Sequence, residues 1–82
     1  MPVGSENLLS AFHAEMGVLN AAEQTDGMWQ LINLANLVFF EPCETVSRGE
    51  LQRASRSMGI PAVLGNRVFD RAQSPSTPHQ HP

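Results

Sequence analysis

The chain has 82 residues, one cysteine and a formal net charge of −3. A chain this short forms at most one domain and buries only a modest core, so its stability is marginal unless something else adds to it. A lone cysteine excludes an internal disulfide, and the absence of a Cys/His cluster excludes a structural zinc site, which leaves oligomerisation as the open route.

The N-terminus MPVGSENLL has no basic region before an apolar run, so no signal peptide is expected. The longest apolar stretch, LINLANLVFF, is broken by two asparagines and is too short for a membrane span. A soluble, cytoplasmic protein with no membrane partner is the expectation. Charge is segregated along the chain. There is no lysine, all five arginines lie between Arg48 and Arg71, and the residues before Ser47 carry six carboxylates and no basic side chain. Such asymmetry fits either a basic face for an anionic partner or two halves that attract each other across a helix interface.

The pattern predicts an all-α protein: a small four-helix domain over residues 1–72 and a disordered, proline-rich tail over 73–82. Helix one is expected over about 5–23, with Ser5 as N-cap, Glu6 in the first turn, and Leu8, Phe12, Met16 and Leu19 as a core-facing stripe. Gly17 weakens it by about 1 kcal/mol relative to alanine. Helix two, about 27–40, follows a break at QTDG with Thr25 or Asp26 as cap. It is apolar on most faces, with Gln30, Asn33 and Asn36 as polar relief. Three short amphipathic neighbours in one subunit cannot cover every face of such a helix, so a homodimer or a bound partner is expected, with Phe12, Met16, Trp29, Ile32 and Phe39 at the interface. Its end, LVFF, has strong β-propensity and is an aggregation hazard if exposed.

EPCET reads as a loop, with Pro42 ending helix two. Ser47 then opens helix three, about 47–58, with a capping box in which Glu50 is the reciprocal partner. Leu51, Ala54 and Met58 form its inner stripe, Gly59 stops it, and Pro61 suits the first turn of helix four, about 61–72, which buries Leu64, Val68, Phe69 and Ala72. No internal repeat is visible. The tail has three prolines after Gln73 and no aliphatic residue.

The stretch LQRASRSMGIPAVLGNRVFD, residues 51–70, resembles the helix-turn-helix of DNA-binding domains. Ala54, Met58, Ile60 and Val68 stand at its apolar positions and Gly59 at its turn glycine. The sequence departs from the pattern at Ser55, where alanine is preferred, and at Gly65, where valine or isoleucine is preferred. Val63 and Leu64 also put apolar bulk where polar readers are usual. The resemblance implies a small dimeric DNA-binding regulator, with Asn66 and Arg67 facing base edges and Arg53, Arg56 and Arg71 toward phosphates of duplex DNA. The stretch FFEPCETVSRGELQRASRSMG also looks like an EF-hand loop and exit helix in length, with Val46 at the apolar eighth position. Glu44 then stands where the turn needs glycine, and Phe39 and Cys43 stand where calcium needs oxygen ligands. That resemblance implies a degenerate pair kept as a protein-binding module, such as an inhibitor or adaptor, without bound calcium. A plain helical interaction domain is the third reading, because capping boxes and glycine stops serve any helical hairpin.

Enzymatic chemistry finds no support. Nothing brings Cys43 and His13 together, and Cys43 has no device to lower its pKa. His79 and His81 in the tail are not a metal site, and MGIPAVLG is not a phosphate loop. No cofactor and no metal are implied.

Overall fold

The computed structural model describes residues 2–40 and 44–73. It contains four helices, α1 (Ser5–Ala21), α2 (Thr25–Phe40), α3 (Arg48–Ser57) and α4 (Ala62–Gln73), so the protein is a small all-α domain. Two short strands, β1 (Val3–Gly4) and β2 (Thr45–Val46), precede α1 and α3 and pair antiparallel, Val3 opposite Val46 and Gly4 opposite Thr45. The Pro-rich tail from Ser74, and Glu41, Pro42 and Cys43, lie outside the described residues.

The chain is built as two similar units, each a short strand, a helix, a tight turn and a second helix. Val3 and Val46 are both buried in the strands. Leu8 and Leu51 stand at equal spacing after them, as do Phe12 and Ser55, and all four are nearly inaccessible. The first helix of each unit ends in the same way. The N–H of Glu23 donates to the carbonyl of Asn20 and that of Gln24 to Leu19, while Gly59 donates to Arg56 and Ile60 to Ser55. This double bond pattern closes a helix through one left-handed residue. Gly59 fills that place at φ +69 without steric cost, whereas Glu23 holds φ 58 with a side chain.

The ends of the helices show how local signals compete with tertiary contacts. Ser47 caps α3 as the sequence requires: its hydroxyl accepts from the Glu50 N–H at 3.2 Å, and the Ser47 N–H donates to the Glu50 carboxylate at 2.8 Å. Hydrogen bonding to the carboxylate by the Ser47 N–H first, and by the Ser47 side chain second, holds the Glu50 carboxyl below its ordinary pKa. Its contribution to α3 is therefore present above the ordinary carboxyl pKa and is lost as pH falls through the lowered value. Ser5 does not cap α1. The N-cap is Gly4, with no side-chain bond, and the Ser5 N–H donates to the Glu44 carbonyl at 3.0 Å beside the strand pair. Helix α2 starts earlier than the sequence implied, at Thr25, since the Gln24 carbonyl already accepts from the Met28 N–H.

One core joins the four helices. Helix α1 buries Leu8, Ala11, Phe12, Glu15 and Leu19; α2 buries Leu31, Leu34 and Ala35; α4 buries Gly65, Val68, Phe69 and Ala72. In α3 the inner stripe is Leu51 and Ser55, and Met58 is 40% exposed because α3 ends before it. Helices α3 and α4 pack closely at Ser55 and Gly65. A Cβ at Gly65 would stand 2.7 Å from the Ser55 hydroxyl, which itself donates to the Leu51 carbonyl at 3.0 Å. The small residue in α4 makes room for the larger one in α3. The two departures from the helix-turn-helix pattern thus touch each other.

Two consequences can be measured by chemical denaturation. Gly65→Ala should destabilise the protein by about 1–3 kcal/mol, because the hydroxyl must turn away and lose its bond in a buried place. Ser55→Ala in the same chain should restore most of the loss, since the methyl then meets only carbon atoms at ordinary contact distance. Ser47→Ala should cost about 1 kcal/mol by removing the α3 cap, and an unchanged midpoint would contradict the cap.

Candidate partner-docking surface

Helices α1 and α2 lie side by side because each has an apolar stripe wider than the core can absorb. In α2 the spacing of Leu31, Leu34, Ala35 and Val38 points one face inward. The opposite face carries Trp29 at 60% exposure, exposed Asn33 and Asn36, and half-exposed Leu37. Ile32 and Phe39 lie half-buried between the two faces. In α1, exposed Leu9 and His13 and half-buried Met16 follow one another along the flank turned to α2.

These flanks enclose an open groove of about 440 Å³, lined by Leu9, His13, Met16, Ile32, Ala35, Asn36 and Phe39. The Phe39 ring rests edge-on against buried Phe12, centroids 6.1 Å apart, so the groove floor is fixed by the core. Three of the five residues that the sequence placed at an interface, Met16, Ile32 and Phe39, line this groove. Trp29 stands exposed on the same helix. Phe12 does not reach the surface: at 0% exposure it belongs to the interior of the single chain. Leu9, His13 and Asn36 join the groove: Leu9 lies beside the core stripe of α1, Asn36 is part of the polar relief that marks helix two in the sequence, and only His13 has no such signal.

The arginines are distributed differently. Arg71 donates to the Glu15 carboxylate at 2.7 Å and Arg67 lies 3.8 Å from it, so both tie α4 to α1. Arg48, the first residue of α3, clamps α4 by bonding Asp70, Asn66 and Gln73 and by lying 4.6 Å over the Phe69 ring. Asn66 accepts from both Arg48 and Gln52. Of the positions chosen for nucleic-acid contact, Asn66, Arg67 and Arg71 therefore serve helix–helix contacts. Arg53 and Arg56 are exposed on α3 and form no ion pair among the described residues.

Among the described residues no cluster of three or more His, Cys, Asp or Glu is placed to hold a metal ion. No helix is long and apolar enough to cross a membrane. Phe39, first in the EF-hand-like reading of the loop, is part of α2. No protein-family model, curated protein or solved structure matches the chain.

The junction of the two halves can be probed at Glu15. Glu15→Ala strands two guanidiniums that remain half in water, so the expected loss is about 1 kcal/mol in urea unfolding, smaller at high salt.

Proposed function

We propose that the protein is a non-enzymatic, helical protein-binding module that docks its partner along the α1–α2 groove. The observation that supports this most directly is the groove itself, a mostly apolar channel on a core-fixed floor, with an exposed tryptophan elsewhere on the same helix. Open apolar patches rimmed by polar residues mark interaction sites, and Trp is the residue that most often dominates such contacts. Asn33 and Asn36 fit the rim, since they break the apolar face without closing it. An inhibitor or adaptor working in the cytoplasm is the corresponding role.

One observation favours the second reading, a dimeric DNA-binding regulator. The α3–turn–α4 segment has the left-handed glycine at Gly59 and close packing of α3 on α4 at Ser55 and Gly65 that a helix-turn-helix uses. The side chains weigh against it. The base-reading candidates Asn66 and Arg67 are engaged within the fold, and only Arg53 and Arg56 remain for phosphates, against a net charge of −3.

Trp29 is the only tryptophan and stands exposed on α2, one of the two helices that form the groove. The 82-residue chain titrated with amphipathic helical peptides should show a blue shift of its emission, and slowed amide exchange should concentrate along α1 and α2. Random duplex DNA at about 50 mM salt should not be retained. Salt-sensitive DNA binding that leaves Trp29 unmoved, with no response to any peptide, would reverse the order of the two readings.

A further inference from the structure

Resting on the reading of α1–α2 as a docking face, we infer that its occupant is a cationic amphipathic helix of another protein, and not a second copy of this chain. The groove is mostly apolar, with His13 and Asn36 as its polar lining, and the α1–α2 pair that forms it is acidic at both ends. At one end Glu6 lies in the first turn of α1, and exposed Glu44 stands beside that turn, its carbonyl accepting from Ser5. At the other end exposed Glu23 and Asp26 flank the α1–α2 turn. Neither helix contains a single Arg or Lys. The one carboxylate of α1 that meets cations, Glu15, meets them on the α4 side, away from the groove.

This charge pattern decides among the occupants. Two copies facing each other through α1–α2 would bring acidic rims together in either orientation, and like charges across an interface oppose association. A second copy offering Arg53 and Arg56 from α3 would bring no apolar anchor for the groove, because the only large apolar side chain of α3, Leu51, is buried. The tail from Ser74 has no aliphatic, tryptophan, tyrosine or phenylalanine side chain to lay against Leu9, Met16 and Ile32. A helix with apolar side chains at intervals of three and four residues fits a channel between two helices, and lysines or arginines at its ends meet Glu6, Glu44, Glu23 and Asp26. Met16 adds a flexible wall that adapts to the shape of the anchor.

The test uses the full chain and three peptides of about 18 residues, or five helical turns, with one leucine face and Lys, Gln or Glu elsewhere. Binding is read from peptide anisotropy and Trp29 emission. The Lys peptide should bind about tenfold more tightly than the Gln peptide, the Glu peptide least, and the preference should shrink between about 50 and 300 mM salt. Glu23→Lys with Asp26→Lys should abolish the preference for Lys while leaving the Gln peptide bound. Leu9→Ser, at an exposed position, should weaken all three; thermal melts show whether each variant is folded. Equal binding of the Lys and Gln peptides, or stronger binding of the Glu peptide, overturns the cationic partner and leaves the docking reading in place. No peptide binding, with a dimeric mass in sedimentation and Trp29 shielded in the dimer, makes the second copy the occupant. No peptide binding by a folded monomer overturns both readings.

Discussion

The ion pair between Arg71 and Glu15 is where an acidic half and a basic half of the chain become one structure. Glu15 is nearly buried, at 8% exposure, on the face of α1 that packs against α4. A carboxylate in that position requires a charged partner, and the only cations in the chain come from Arg48 onward. The sequence segregation of charge is thus converted into adhesion between α1 and α4. The conversion also consumes charge. Arg67 and Arg71 face inward to α1, Arg48 is held by Asp70 and the Phe69 ring, and the surface left on α1 and α2 is anionic.

The resemblance between the two strand–helix–turn–helix units is incomplete, and its failure creates the groove. In a symmetric arrangement α2 would lean on α3 as α4 leans on α1. Instead α4 packs extensively on α1, while α2 and α3 meet at fewer points. Helix α3 is too short, ending at Ser57, to cover more of α2. The longer and more apolar α2 therefore buries only the stripe through Leu31, Leu34 and Ala35 and presents Trp29 and Leu37 to water. A core of this size is not large enough to enclose α2 completely.

Much of this architecture is visible in the chain itself because the signals are local. The capping box at Ser47, the glycine stop at Gly59 and the three- and four-residue spacing in α1 and α4 each operate within a few residues, and the structure contains all of them. The surplus of apolar surface on α2 is also legible, since it depends on composition rather than on contacts. What escapes the sequence is nonlocal. Val3 and Val46 form strands too short to have a period, and beside their pairing α1 starts from Gly4 as N-cap rather than from Ser5. Phe12 and Met16 share one helical stripe, yet Phe12 points into the core and Met16 to the groove, a difference set by where α2 crosses. The two-unit plan is hidden for the same reason: its equivalent positions hold Phe12 in one unit and Ser55 in the other, matched in burial and unmatched in volume.

An open apolar channel on a small acidic domain raises the problem of self-adhesion, and the same residues that define the channel limit it. The β-prone stretch Leu37–Phe39 is held in α2, with Phe39 pinned on Phe12 and Val38 packed against the core, so its backbone is not offered to another strand. Asn33 and Asn36 interrupt the outer face, and the carboxylates at both ends repel an identical surface. Trp29 stands in water at 60% exposure, and on the docking reading its burial falls to a partner that brings apolar anchors and positive charge at once. Specificity of this kind comes from what the surface rejects as much as from what it attracts. It follows from a sequence that places every one of its cations on the far side of Ser47.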